Sequence, residues 1–152
     1  MARGWPQWTA AGLEGLCFKR LGEPYLLARS WLKYKVRATT EAIVGAVTGS
    51  ATAPRTVLLG RYDATGRLQY TGRSTTLSQA VGRALADVPT PPMGGHPWQG
   101  RRFSAGWGPQ RTLEVVLVEF EGVLEVAVDV ARDSAGRWRH PSDRTASART
   151  ST

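Results

Sequence analysis

The sequence predicts a mainly β protein: a five-stranded barrel with one helix after its third strand, preceded by two further short strands. Three observations predict it. Residues 38–131 break into short apolar runs of strand length, separated by Gly and Pro. Only one segment, 74–88, carries helical spacing. The resulting order of strand, strand, strand, helix, loop, strand, strand is that of a five-stranded OB barrel, a fold that commonly carries nucleic acid on a strand face. A length of 152 residues suits one domain with a piece of another attached. A hydrophobic content of 41% with six tryptophans is enough to build a core and excludes a wholly disordered chain.

In chain order, "GLCF" and "WLKYKV" read as short strands around the Gly- and Pro-containing loop "LGEPYLLARS". "EAIVGAVTG" is a strand with glycine breaks and "TVLLGRYD" is the next. Thr65-Gly66 then turns the chain into "RLQYTGRS", where Leu68 and Tyr70 alternate with polar neighbours. In "STTLSQAVGRALADV", Ser74 to Thr76 offer N-cap chemistry, and Leu77, Val81, Ala84 and Leu85 share a helical face that Gly82 weakens. "PTPPMGGHPWQGRRFSAGWGPQ" is a long loop, and loops of that length in compact domains usually serve a function. In "LEVVLVEFEG", Val116, Val118 and Phe120 share a face. In "VLEVAVDV", Leu124, Val126, Val128 and Val130 point inward while Glu125 and Asp129 point to solvent. Residues 142–152 are low in complexity and expected to be a disordered tail. No internal repeat is evident.

The net charge is +8, which favours an anionic partner, nucleic acid first. The charge is segregated: residues 113–131 hold five acids and no base, between basic flanks. Cys17 is the single cysteine, so no internal disulfide forms, and it reads as a small buried hydrophobe. The N-terminus has no signal-peptide core, and no apolar run approaches the ~20 residues of a membrane span, so a soluble cytoplasmic protein without membrane contacts is expected. His96 and His140 each adjoin a proline with no Cys or Asp at metal spacing, which argues against zinc. Trp5, Trp8, Trp31, Trp98, Trp107 and Trp138 read as core and loop anchors rather than base-stacking platforms.

All three lysines, Lys19, Lys33 and Lys35, fall in one short segment, and every other basic residue is arginine. Lysine is a compact point charge suited to a phosphate oxygen. Lys33 and Lys35, two apart in a strand, project to one face, where mutual repulsion is relieved by an anion between them. Glu14 nearby supplies a carboxylate for Mg²⁺. A solvated basic strand is the plain alternative.

"EGLCFK" followed by "SWLKYK" resembles two signature motifs of the bacterial ATP-dependent DNA ligases: the Glu-Gly-x-x-x-Lys and Lys-x-Lys strands of the covalent nucleotidyltransferase (adenylation) domain. "TEAIVGAVTG", "LLGRYD", "GRLQYTGR", "HPW" and "LEVAVDVARDSAGRWRHP" are similar to the attached OB domain, so the resemblance spans roughly residues 10–141. It implies that residues 1–37 are the C-terminal remnant of the adenylation domain and 38–141 the OB-fold domain. Glu14 then matches the glutamate associated with metal and nucleotide, while Leu16 and Cys17 pack beneath adenine. Lys19 matches the lysine near the nucleotide, and Lys33 and Lys35 match the pair that neutralises the α-phosphate. Val36 to Thr39 corresponds to the swivel between domains. Arg137, Arg139 and His140 sit where a basic motif orients pyrophosphate, although "RWRHP" matches only in part.

The family's nucleophile, the lysine of a Lys-x-Asp-Gly motif that forms lysyl-AMP from ATP and Mg²⁺, has no counterpart here. Thirteen residues precede Glu14, so the chain reads as the C-terminal portion of a ligase, inactive in nick sealing by itself. Its expected partners are nicked duplex DNA and a separate N-terminal half. Arg61, Arg67, Arg73, Arg101 and Arg102 are the candidate DNA contacts. Leu13, Leu16, Phe18 and Trp31 would be apolar surface that such a half covers. The alternatives are a stand-alone OB-type DNA-binding module and a decayed fragment without function.

Overall fold

The computed structural model describes residues 13–24, 27–28, 31–86, 92–104, 112–119, 122–130, 132–138 and 143–150. Two sheets form. Strands β1 (Gly15–Phe18) and β2 (Leu32–Lys35) pair antiparallel as a two-stranded sheet. The second sheet has six strands: β3 (Arg37–Ser50), β4 (Ala53–Tyr62), β5 (Leu68–Arg73), β6 (Val116–Leu117), β7 (Gly122–Asp129) and β8 (Asp143–Thr150). Its order is β5-β4-β3-β7-β8, with β6 pairing β3, and α1 (Gln79–Ala86) lies between β5 and β6 in the chain. This mainly β curl with one helix is the expected OB-type architecture.

The 14-residue β3 makes the curl possible by serving two partners in succession. Arg37 to Ala42 pair with β7, and Ile43 onward pair with β4, with irregularities between Val44 and Ala46 and between Thr48 and Gly49. Such breaks bend a strand and increase its twist, which lets a sheet close on itself. On the far side, the Trp138 amide donates to the Thr71 carbonyl at 2.7 Å and ties the chain after β7 to the free edge of β5.

Alternation along β3 and β4 produces two cores, one on each face of the sheet. Val44, Val47, Val57 and Leu59 join Leu77, Leu85, Val118, Leu124, Val126, Val128 and Trp138 inside the barrel. Ala46 and Leu58 turn outward beneath Leu68, Trp98 and Phe103. The inward alternation of β7 holds at Leu124, Val126 and Val128.

Several local expectations need correction. Ser74 does not cap the helix: its hydroxyl accepts from the Val57 amide at 3.0 Å and so closes the β4–β5 pair. The Ser78 carbonyl instead accepts the Val81 and Gly82 amides at the helix start. Ala84 is exposed, while Gly82 is buried where a Cβ would stand 3.2 Å from the Pro54 carbonyl. Val116 is exposed although Val118 is buried, because β6 pairs over only two residues; Phe120 lies outside the described residues. The expected disordered tail instead contributes β8, antiparallel to β7. The open edge of β7 offers a row of unpaired amides and carbonyls, and a Thr-containing segment fits it.

A short repeat does exist: one pentapeptide pattern builds two matching turns, Asp63-Ala-Thr-Gly-Arg67 and Asp133-Ser-Ala-Gly-Arg137. In each, the Asp Oδ1 accepts the amides two and four residues on, at 2.9–3.0 Å. The Gly amide donates back to the Asp carbonyl, and Gly66 and Gly136 sit at φ +76° and +74°. The Thr65 hydroxyl, then the Arg67 amide and the Gln69 side chain, hold the Asp63 carboxyl well below the usual carboxylate range. The Arg137 amide does most to lower that of Asp133.

Candidate functional site

The first candidate site is the β1–β2 hairpin. Its register pairs Gly15 with Lys35, Leu16 with Tyr34, Cys17 with Lys33 and Phe18 with Leu32. Lys33 and Lys35 therefore share a face with Cys17 and Gly15, as the two-residue spacing requires. Lys19 continues that edge, its Nζ 5.0 Å from the centre of the Trp31 ring, a cation–π contact. Gly15 is required here: a Cβ on it would run into the Tyr34 carbonyl oxygen and stand 3.0 Å from the Lys35 Cα. The Glu14 carbonyl accepts the Val36 amide at 3.0 Å, which places Glu14 one step beyond the Gly15–Lys35 pair. Ala38 and Thr39, expected in an interdomain swivel, are already paired within β3, and Val36 alone stands between strands.

The other face of the hairpin is apolar and open. Leu16 is 40% exposed, Phe18 53%, Tyr34 55% and Leu32 76%, and Leu13 and Trp31 are exposed as well. Cys17, read from sequence as buried, is exposed too, because among the described residues the two-stranded sheet has no layer above it. A lysine cluster of this kind suits a phosphate group. Among the described residues it does not by itself fit a whole nucleotide, since both faces of the hairpin are exposed and offer adenine no enclosure. The described residues contain no group of three metal-ligating side chains, so Glu14 alone would be one carboxylate of a largely hydrated Mg²⁺.

The second candidate site is the outer face of the barrel. Residues 92–104, the first part of the long loop, lie over β3, β4 and β5 and are anchored by Trp98. The Trp98 indole is 1% exposed and its Nε1 donates to the Leu68 carbonyl at 2.8 Å. Gly45 and Gly60 make room for it: a Cβ at either would come within 2.5–2.8 Å of the ring. His96 braces the anchor. Its Nδ1 accepts the Trp98 amide at 3.0 Å, which leaves Nε2 to donate to the Val118 carbonyl at 3.2 Å. The motif "HPW" is therefore a structural clasp.

Tyr70, Phe103 and Trp98 meet edge-on, with centroids 5.1–5.9 Å apart. The Arg101 guanidinium lies over Tyr70 at 5.7 Å and over Phe103 at 5.6 Å. Burial pushes the Tyr70 phenol above its ordinary value, and the positive charges of Arg73, Arg137 and Arg101 act against that rise. Arg137 pairs with Asp133 through Nε at 2.7 Å. Arg61, Arg67 and Arg102 are exposed, and Arg61 stands opposite Gln69 in the β4–β5 ladder. Arg139 and His140 lie outside the described residues, as do Trp5, Trp8 and Trp107. A shallow groove lined by Thr48, Arg55, Thr56, Thr76 and Glu114 lies at another part of the barrel, where the Thr48 and Thr56 hydroxyls bond each other at 2.7 Å.

Of the residues singled out in the sequence, the structure brings Lys19, Lys33 and Lys35 onto one hairpin and lays Arg101 over Tyr70, whose phenol also feels the charges of Arg73 and Arg137. Tyr70 is a site residue that sequence reasoning missed. Its signal, an aromatic on a strand before a loop rich in arginine, is present in the sequence but reads as core.

Among solved structures the chain is similar in fold to a mycobacterial DNA ligase D complexed with ATP and MES, at 24% identity and a TM-score of 0.52. That match covers 99% of this chain and 48% of the other. The ligase domain of M. tuberculosis LigD matches at 24% identity and a TM-score of 0.49, over 98% of this chain and 48% of its own. This chain thus spans about half the length of the structures it matches. No protein-family model and no curated protein matches it.

Proposed function

We propose that the chain is the C-terminal portion of an ATP-dependent DNA ligase, made of an OB-fold domain and the last strand pair of an adenylation domain, and that it acts on nicked DNA together with the remaining half of such an enzyme. The observation that carries this reading is the hairpin. It holds the three lysines along one side and leaves Leu16, Phe18, Leu32 and Tyr34 open on the other. An exposed apolar face of this kind marks a surface that another layer or partner covers. A missing sheet layer would cover it and at the same time turn the lysine face into the wall of a nucleotide site. The solved ligase whose fold it shares was complexed with ATP and is about twice as long, which agrees with a missing half.

In this reading Lys33 and Lys35 neutralise the α-phosphate of ATP, and Lys19 stands beside the nucleotide. Glu14 contributes a carboxylate to Mg²⁺, which when bound offsets phosphate charge in nucleotidyl transfer. The nucleophilic lysine must come from the other half, since no Lys-x-Asp-Gly occurs in the 152 residues. The barrel holds DNA by its arginines, and the open hairpin favours this reading over a stand-alone DNA-binding module.

The test supplies the chain with α-labelled ATP, Mg²⁺ and lysate of the source organism depleted of this chain, followed by a nicked duplex. Sealing that requires the added chain, and that Lys33→Ala with Lys35→Ala abolishes, is the expected result. DNA binding without sealing or label in any mixture would retire the ligase reading.

A further inference from the structure

Trp31 stands on the polar side of the hairpin. Positions 15, 17 and 19 on one strand and 31, 33 and 35 on the other alternate onto a single face. Gly15–Lys35 and Cys17–Lys33 are direct pairs, and Lys19 and Trp31 come one step past the last pair, Phe18–Leu32. Trp31 therefore shares the lysine face, whereas Leu16, Phe18, Leu32 and Tyr34 make the apolar one. At 49% exposure it is not a core residue. What it touches is Lys19, whose Nζ lies 5.0 Å from the ring centre.

That contact has a use that packing does not explain. An exposed lysine stem is flexible, and ordering it on a ligand lowers affinity. A ring face attracts the ammonium and orders the stem before the ligand arrives. A carboxylate would also hold the lysine but would offset its charge, whereas the ring leaves the ammonium fully positive toward an anion. Strand geometry puts Lys35 and Lys33 about 7 Å apart along β2, with Lys19 diagonally about 7–8 Å beyond Lys33. Three ammonium groups so spaced outreach a single phosphate and suit a run of linked ones.

We propose that Trp31 is a positioning residue that holds the Lys19 ammonium in a row with Lys33 and Lys35, and that this row takes a chain of linked phosphates such as the triphosphate of a nucleotide. The inference rests on the reading above that this face meets ATP. It adds a residue that acts through a lysine rather than on the nucleotide itself.

The chain has only three lysines, so ¹³C-lysine labelling of the full chain gives three side-chain signals, assigned with Lys19→Arg, Lys33→Arg and Lys35→Arg. Tripolyphosphate and inorganic phosphate are titrated into the parent, Trp31→Leu and Trp31→Phe. Affinity read at the lysine signals excludes anion held by arginines elsewhere. The ring should shift the Lys19 ε-CH₂ protons upfield in the parent and in Trp31→Phe, while Trp31→Leu, bulky but without a ring, should return them to the position of free lysine. All three signals should move together with tripolyphosphate, which should bind more tightly than phosphate. Trp31→Leu should weaken tripolyphosphate binding about two- to fivefold, the value of a surface cation–π contact, and Trp31→Phe should restore part of it. A parental Lys19 signal at the free-lysine position, or equal tripolyphosphate affinity in the parent and Trp31→Leu, would overturn the inference and leave the ligase reading to the sealing assay. Trp31-dependent binding with no sealing in any mixture would retire the ligase reading and leave the phosphate row standing.

Discussion

The hairpin and the barrel are built from the same kind of sequence, short β-strands with bulky apolar residues, yet their surroundings are opposite. In β3 and β4 both faces are covered, one by the helix and β7 and the other by the loop that carries Trp98. In β1 and β2 neither face is covered by the described residues, and Phe18 and Leu32 meet as a cross-strand pair in open solvent. A two-stranded sheet is at best marginally stable by itself. The contrast teaches that the barrel strands are packed on both faces, whereas among the described residues the hairpin is packed on neither.

The same residue type in the two regions offers the largest contrast. Trp98→Ala removes a fully buried ring and its bond to Leu68, and it should cost about 3–5 kcal/mol in urea unfolding. Trp31→Ala, at a site 49% exposed, should stay within about 0.5 kcal/mol of the parent. Equal losses would break the comparison.

A smaller effect is expected from Gly45→Ala, whose Cβ would stand 2.5 Å from the Trp98 ring; overpacking of this kind costs about 1–3 kcal/mol. The parental melting temperature in this variant would show that the loop does not sit on β3 as described.

The smallest effect concerns the two matching turns. Asp63 and Asp133 have carboxyls lowered in the folded state, so their contribution is fully present above the unfolded value of about 3.9 and is lost as pH falls from there through the lowered values. Asp63→Ala should therefore destabilise the chain at neutral pH, and its deficit relative to the parent should shrink on acidification below pH ~4. Unfolding series at several pH values would read this, and a deficit independent of pH would contradict it.

The parts of this structure legible in the sequence are those set by short-range periodicity. Alternation places Leu124, Val126 and Val128 inside, and the i, i+2 spacing puts Lys33 and Lys35 on one face. The parts that are not legible depend on packing between distant segments. Nothing local to "EAIVGAVTG" says that Gly45 lies under a tryptophan more than fifty residues away, so a glycine kept for space looks like a strand break. Ser74 has the right chemistry for a cap but is used by Val57 across the sheet. The 142–152 segment has too few apolar residues to announce a strand, and β8 depends on the edge that β7 offers. Tyr70 looks like core because the arginines near it come from β5, the loop and the 133–137 turn. The recurring Asp-x-x-Gly-Arg is legible but too short to register as a repeat.

Hydrogen exchange of the isolated chain, read strand by strand, tests most directly the claim that the barrel strands are packed and the hairpin is not. The account predicts that amides of β3, β4 and β7 are protected up to the global unfolding free energy, while those of β1 and β2 exchange through local opening at far lower cost. Protection in β1 and β2 equal to that of the barrel strands would contradict it, because the hairpin would then already have the packing that the account assigns to a missing half.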